Sequence, residues 1–219
     1  MSTEGDARLW GDLFPDGLIP DILRLLMDTW KSFSKPHPDD HEVPISRRFC
    51  EDLRRGKDLR KLPFSIWPES TETDPLSGKE FGRIDIRFIH GFRERVYFAF
   101  ECKRLRIARG RPNTHEYVGD DGMMCFITGK YANNLDSGGM IGYVMDGNVT
   151  AAISAVENAI AKQAIKLCLI KGTGLTPSSI IPNKRVMETF HHFSARQVTI
   201  YHLFLGIKKI AKFNIGLFR

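Results

Sequence analysis

Cysteine is scarce in this chain, and long hydrophobic runs are missing from it. The four cysteines, at positions 50, 102, 125 and 168, stand singly with no CxxC pair. Structural zinc is therefore not expected, and unpaired thiols fit a reducing cytoplasm. No apolar run approaches the roughly 18 residues that a membrane-spanning helix requires, and residues 1–6 lack the basic region and apolar stretch of a signal peptide. We expect a soluble cytoplasmic protein with no membrane partner.

The composition shows no extreme either. Hydrophobic residues make up 42% and charged residues 26% of the 219 positions, which excludes a disordered, collagen-like or coiled-coil chain. The formal net charge is +6, and basic residues concentrate between Arg47 and Lys61 and again between Lys103 and Arg111. Such clusters suit a polyanion, because each neutralised phosphate releases condensed counterions. Solvated helix and loop surfaces give the same pattern, so the clusters alone leave both readings open.

Hydrophobic periodicity predicts an α/β fold with a mixed central sheet flanked by helices. The period is helical in the first part of the chain and changes to two after residue 82. We predict helices at 17–34, 44–55, 116–134 and 150–167, strands at 62–67, 83–90, 95–103, 140–145, 167–170 and 198–205, and a loop at 68–82. These elements fit a single domain with a core over about residues 44–146, to which the N-terminal helix 17–34 and the C-terminal residues 150–219 are additions.

Three charged residues stand where a sequence that builds a core would not place them. Asp85 interrupts the first arm of the predicted hairpin, and Glu101 and Lys103 close the second arm. Since residues two apart in a strand share a face, Glu101 and Lys103 project together, and a hairpin in suitable register brings Asp85 beside Glu101. Two buried carboxylates repel each other, and a divalent cation is the simplest way to keep both ionised. The alternative is an edge-strand salt bridge that involves Lys103 and no metal.

These residues resemble the active-site motif of the PD-(D/E)xK nucleases, the restriction-endonuclease-like superfamily. The motif reads Gly82-Arg-Ile-Asp85, and Glu101-Cys-Lys103 follows after fifteen intervening residues. Ile84 stands where the superfamily usually has proline, which removes no catalytic atom. The predicted order of helix, three strands, helix and strand also resembles the superfamily's α-β-β-β-α-β core.

The resemblance implies a magnesium site, with Mn²⁺ as a substitute metal. Asp85, Glu101 and the backbone carbonyl of Cys102 would ligate the metal, and Lys103 would orient the attacking water or stabilise charge on the phosphate. Many members carry a further glutamate on the first core helix, for which Glu42 is the best candidate and Glu51 the second. On the helix after the motif, Lys130 and Tyr131 are expected to face the phosphate.

We therefore expect a Mg²⁺-dependent endonuclease that hydrolyses phosphodiester bonds of DNA, most simply double-stranded DNA, as a restriction-type or antiphage-defence effector. Cutting both strands requires two such sites, which favours a homodimer or a subunit of a larger complex. The residues expected to contact backbone phosphates are Arg47, Arg48, Arg54, Arg55, Arg104, Arg106 and Arg109.

Two other functions remain open at this stage. A catalytically silent nucleic-acid-binding subunit would use the same fold as a scaffold, and basic clusters that dock an acidic protein would bind no DNA. The pair His191-His192 has no carboxylate or further histidine at ligand spacing, and we expect it to be solvated or to face DNA. Phe98 and Phe100 are expected in the core.

Overall fold

The computed structural model describes residues 14–73, 80–91, 96–107, 112–131 and 135–207. Its helices are α1 (Ile19–Ser32), α2 (Glu42–Leu59), α3 (Thr114–Val118), α4 (Met124–Ile127) and α5 (Val149–Lys162). Its strands are β1 (Phe64–Thr73), β2 (Glu80–His90), β3 (Tyr97–Leu105), β4 (Ser137–Val144), β5 (Thr176–Pro177), β6 (Val186–Phe193) and β7 (Arg196–Gly206). None of the helices in these ranges has both the length and the apolar character needed to cross a bilayer.

The described strands form one mixed sheet in the order β1-β2-β3-β4-β7-β6-β5. The first three strands are antiparallel to one another, β4 is parallel to both β3 and β7, and β7, β6 and β5 are again antiparallel. The α/β class and the mixed sheet predicted from periodicity are therefore confirmed. Strand β3 lies between two partners, and its residues from Tyr97 to Cys102 are buried, as expected of a central strand.

Helices α1 and α2 pack together and cover the face of the sheet on which Tyr143 lies. Helix α1 buries Ile22, Leu26 and Trp30 at helical spacing. The Trp30 ring stacks on Tyr143 of β4 at 5.6 Å between centroids and lies 5.3 Å from the ring of Phe49 in α2. This packing fixes α2 against the sheet, and with it the start of α2 at Glu42.

The predicted helix over residues 116–134 is wrong. Two short helices, α3 and α4, flank a turn that contains Gly119 and Gly122. A Cβ atom on Gly122 would lie 2.2 Å from the carbonyl oxygen of Tyr117, so the chain can approach itself this closely only with glycine. Consequently Lys130 and Tyr131 follow the end of α4 and do not lie on a helix.

Several strand predictions also need correction. Residues 68–73, predicted as loop, extend β1, and residues 80–82 belong to β2. The predicted strand at 167–170 is reduced to a single bridge between Leu169 and His191. Strands β5 and β6 were not predicted, and β7, in the region treated as an addition, pairs directly with β4. His191 lies in β6 and is fully buried, so the expectation of a solvated or DNA-facing pair holds only for His192, which is exposed.

Candidate active site

The two predicted carboxylates lie at the point where β2 and β3 stop pairing. The described ladder between these strands runs from Ile89–Tyr97 to Ile86–Phe100, and one further step in the same register places Asp85 opposite Glu101. Here the Asp85 carboxylate takes the place of a backbone partner, because its Oδ2 accepts a hydrogen bond from the Cys102 backbone N–H at 2.7 Å. The adjacency expected from the alternation is therefore present.

Lys103 and Glu42 complete the group. The Lys103 Nζ lies 2.6 Å from Glu101 Oε1 and 3.8 Å from Glu42 Oε1. The other oxygen of Glu42 accepts a hydrogen bond from the Arg104 backbone N–H at 2.8 Å, so the first residue of α2 is tied to the end of β3. Glu51, the second candidate on this helix, is exposed and pairs with Arg54 at 2.6 Å. Of the two, Glu42 is the one that lies beside Lys103.

Burial dominates the electrostatics of this group. Asp85 and Glu101 are only 6% and 5% exposed. Burial, and next the charge of Asp85, raise the pKa of Glu101 to about 8. Burial also raises the pKa of Asp85 and of Glu42 above their usual range, against the hydrogen bond from Cys102 in the first case and the charge of Lys103 in the second. Although burial alone would lower it, the Glu101 charge raises the pKa of Lys103, which is therefore a cation.

These features fit a bound cation. The group contains three carboxylates and one ammonium, and Lys103 alone does not return the pKa of Glu101 to its usual range. The second carboxylate oxygen of Glu101, Oε2, is buried and has no hydrogen-bond partner within the described ranges, an arrangement that costs about 1–3 kcal/mol or more for a charged group. Carboxylate oxygens with few protein neighbours suit Mg²⁺, which keeps several waters.

The donor set is small. Within the described ranges, no group of three or more His, Cys, Asp or Glu side chains has the spacing of a metal site. The predicted set contains only two side chains, Asp85 and Glu101, together with a backbone carbonyl. The sulfur of Cys102 is not part of it, because it lies 3.6 Å from the Tyr143 hydroxyl in the core. Only the backbone of Cys102 is placed at the site.

Lys130 and Tyr131 approach the site but have other partners. Tyr131 is 4% exposed, and its hydroxyl donates to the Arg83 carbonyl oxygen at 2.8 Å. Burial, and then the charge of Glu101, raise the pKa of Tyr131 above its usual range. The Lys130 Nζ lies 3.1 Å from Asp121 Oδ1. Tyr131 is therefore a packing residue beside Glu101, and Lys130 is the more accessible of the two.

The basic cluster on α2 is interleaved with acidic partners. Each arginine predicted to contact phosphate there pairs with a carboxylate, as follows: Arg47 with Glu69, Arg48 with Asp40, Arg54 with Glu51 and Arg55 with Asp52. Exposed ion pairs such as the last three contribute about 0–1 kcal/mol each, which a phosphate contact can replace. The surface of α2 carries mixed charge rather than a continuous basic stripe.

The second cluster is held by the segment before α2. Arg104 Nη1 donates to the Asp40 carbonyl oxygen at 3.1 Å, and Arg106 donates to the Pro38 carbonyl and lies 3.2 Å from Asp39 Oδ1. Arg109 lies outside the described residues. Arg104 and Arg106 thus brace the segment that leads into Glu42.

One residue beside the site was not predicted at all. Glu69 lies in β1, at the position opposite Asp85, within the stretch predicted as loop. Its side chain is 10% exposed. A carboxylate in a Thr-, Ser- and Pro-rich segment carries no periodic signal, and only the strand pairing places it here.

No protein-family model, curated protein or solved structure matches this chain. The resemblance to the PD-(D/E)xK nucleases therefore rests on the motif and on the order of the elements. The function of this protein therefore follows from the chemistry of the site and not from the fold.

Proposed function

We propose that this protein is a Mg²⁺-dependent phosphodiesterase of the PD-(D/E)xK type that acts on DNA. The observation that carries the proposal is the group formed by Glu42, Asp85, Glu101 and Lys103, in which a buried oxygen of Glu101 has no hydrogen-bond partner in the part of the chain that the structure describes. An excess of buried negative charge beside a fixed lysine is a suitable arrangement for a cation and a phosphate.

The fold around the site supports the proposal. Helix α2 is followed by the antiparallel strands β1, β2 and β3, then by two short helices and by β4, which is parallel to β3. This order resembles the superfamily's core, with two short helices in the place of its second helix. Asp85 lies on the second of these strands, and Glu101 and Lys103 lie on the third, which agrees with the resemblance.

Each residue has a definable task in such a reaction. Asp85 and Glu101 would hold the Mg²⁺, which when bound supplies Lewis-acid polarisation of the phosphate and a water of lowered pKa. Lys103 is a cation that would hold the attacking water or stabilise negative charge as it develops on the phosphate, an effect of about 3 kcal/mol for one fixed donor. Glu42 keeps the ammonium group in place and fixes the end of β3.

The silent nucleic-acid-binding subunit remains the second candidate, and one observation favours it. The ion pair between Lys103 and Glu101 Oε1, 2.6 Å long, gives each of these two charges a partner without a metal. Its position does not match an edge-strand salt bridge, because β3 is flanked by β2 and β4. The two candidates differ in turnover, since the subunit would bind DNA with a steep salt dependence and would cut nothing.

Cleavage of supercoiled plasmid by the purified protein tests the proposal. We expect nicked or linear product with Mg²⁺ and none with EDTA. Glu101→Gln, which keeps the size of the side chain, is expected to abolish cleavage with Mg²⁺ present. Plasmid that is bound in a salt-sensitive way but stays uncut would favour the silent subunit.

Glu188→Gln is the matched control. Glu188 lies in β6, is 3% exposed and accepts hydrogen bonds from Ser179, so its replacement also removes a buried carboxylate. Cleavage by Glu188→Gln at the wild-type rate would separate the role of Glu101 from a general effect of losing buried charge. Equal cleavage by Glu101→Gln would show that the site is wrongly assigned.

A further inference from the structure

Glu69 has a strained backbone in the middle of a strand. Its φ is +48°, and its neighbours Pro68 and Ser70 pair regularly with Ile86 and Ile84. A positive φ costs free energy in every residue other than glycine, and such strain persists at sites where the side chain is needed. Glycine would relieve the strain here, so the reason to keep glutamate lies in its carboxylate.

The Glu69 carboxylate binds two arginines that come from different elements. Its Oε2 accepts a hydrogen bond from Nε of Arg47, which lies on α2, and also makes an ion-pair contact with Nη2 of the same side chain. Its Oε1 is buried, has no hydrogen-bond partner among the described residues and lies 3.6 Å from Nη1 of Arg83, which lies on β2. Glu69 thus contacts two guanidinium groups, one by a hydrogen bond and the other by a longer ion pair.

Both guanidinium groups are largely exposed, since Arg47 is 64% and Arg83 is 58% exposed. Arg83 stands two residues before Asp85 in β2 and therefore shares its face of the strand. The Arg83 charge also acts on Asp85, where it opposes the rise in pKa that burial causes. The charge of Glu69 acts on Asp85 as well, so Arg83 lies near the proposed reaction centre and Arg47 is connected to it through Glu69.

We propose that Arg47 and Arg83, positioned by Glu69, bind a backbone phosphate of the nucleic acid next to the scissile phosphate. This inference rests on the proposed function. A guanidinium group has five N–H donors in a planar fork that matches phosphate oxygens, and two nitrogens of Arg47 suffice for Glu69. Glu69 is a positioning residue, and the two arginines are the binding residues.

Binding of a short fluorescein-labelled DNA duplex, measured by fluorescence anisotropy in EDTA over a range of salt, tests the inference without cleavage. Arg47→Ala and Arg83→Ala are each expected to weaken binding about tenfold or more. Each is also expected to lower the slope of log affinity against log salt, by up to about one, the value for complete loss of the shared phosphate contact. Arg24→Ala is the matched control, because Arg24 is 52% exposed and pairs with Asp21 on α1.

Wild-type slopes for both site variants would overturn the inference, whether or not the protein cuts DNA. In the cleavage assay, the two variants are expected to raise KM with little change in kcat. If the wild type cuts plasmid and both variants keep the wild-type slope and KM, the proposed role of Arg47 and Arg83 is wrong and the proposed function still stands. A wild-type protein that neither binds nor cuts DNA would contradict the proposed function as well.

Comparing the affinity for the duplex with and without 5′-phosphates shows whether the arginines bind a backbone phosphate or a terminal one. Equal affinity for both duplexes is expected, and a requirement for the 5′-phosphate would overturn the backbone assignment.

Glu69→Gln tests the positioning role. If Glu69 acted only through its negative charge, its removal would tighten DNA binding. If Glu69 positions the two arginines, loss of its ion pairs weakens DNA binding, and this is the result we expect. Unchanged or tighter binding would overturn the role of Glu69.

Discussion

Lowering the pH from about 6.5 to about 4.5 is expected to remove the stability that two buried histidines contribute to the fold. His191 and His202 are fully buried in β6 and β7. His191 Nδ1–H donates to the Leu167 carbonyl oxygen at 2.7 Å, which leaves Nε2 to accept from the Thr189 hydroxyl at 2.7 Å. The Thr189 oxygen accepts from His202 Nε2–H at 2.9 Å, and His202 Nδ1 accepts from the Tyr117 hydroxyl at 2.9 Å. This chain of bonds requires both histidines to be neutral.

The magnitude follows from the shifted pKa values. Burial lowers the pKa of His191 from 6.5 to about 4, and burial together with His191 lowers that of His202 to about 3. The unfolded chain takes up protons below pH 6.5 while the folded chain does not, so stability falls as the pH falls. Each histidine then contributes a loss of about 1.4 kcal/mol per pH unit, or about 2–3 kcal/mol by about pH 4.5. Together they remove a large part of a typical folding free energy of about 5–15 kcal/mol.

Urea unfolding of the wild type and of His191→Asn across this pH range measures the effect. Asparagine can still donate to the Leu167 carbonyl but does not titrate. We expect the variant to be less stable than the wild type near neutral pH and to lose about 2–3 kcal/mol less than the wild type does by about pH 4.5. His192→Asn is the control, since His192 is exposed and is not part of this series of hydrogen bonds. The same pH dependence in the wild type and in His191→Asn would refute the reasoning.

Two further predictions concern stability. A Cβ atom on Gly139 would lie 2.1 Å from the Phe100 ring, whereas one on Gly174 meets nothing within 4 Å, so Gly139→Ala is expected to cost about 1–3 kcal/mol in urea unfolding and Gly174→Ala much less. A wild-type unfolding curve for Gly139→Ala would contradict this packing. The Asn148 side chain caps α5 by accepting from the Ala151 N–H at 3.2 Å, and Asn148→Ala is expected to cost about 1 kcal/mol. No change in thermal or urea stability would show that the cap is not formed.

The local pattern of the sequence was sufficient for the centre of the site. Period-two alternation and the short separation between the two arms place Asp85 beside Glu101. This inference uses residues that are close in sequence, where register follows from the turn and from burial. Glu42 comes instead from the resemblance, and it stands two residues before the predicted helix, whereas it is the first residue of α2.

The surroundings of the site depend on contacts that the local pattern does not encode. Glu69 joins it through the pairing of β1 with β2, and its segment has the composition of a loop. Strand β6 is not predicted from the sequence because the polar residues Thr189 and His191 occupy buried positions. The sequence of this strand therefore lacks the usual alternation of polar and apolar residues. The helix prediction over 116–134 does not take account of Gly119 and Gly122, which are a turn signal in the sequence.

The central claim is that Asp85 and Glu101 together hold a divalent cation, and calorimetric titration with Mn²⁺ tests it most directly. This measurement needs no DNA and no second subunit. We expect one Mn²⁺ to bind the wild type and Glu188→Gln with equal affinity, and Glu101→Gln to bind more than about tenfold more weakly. Equal binding by Glu101→Gln, or no binding by the wild type, would contradict the account.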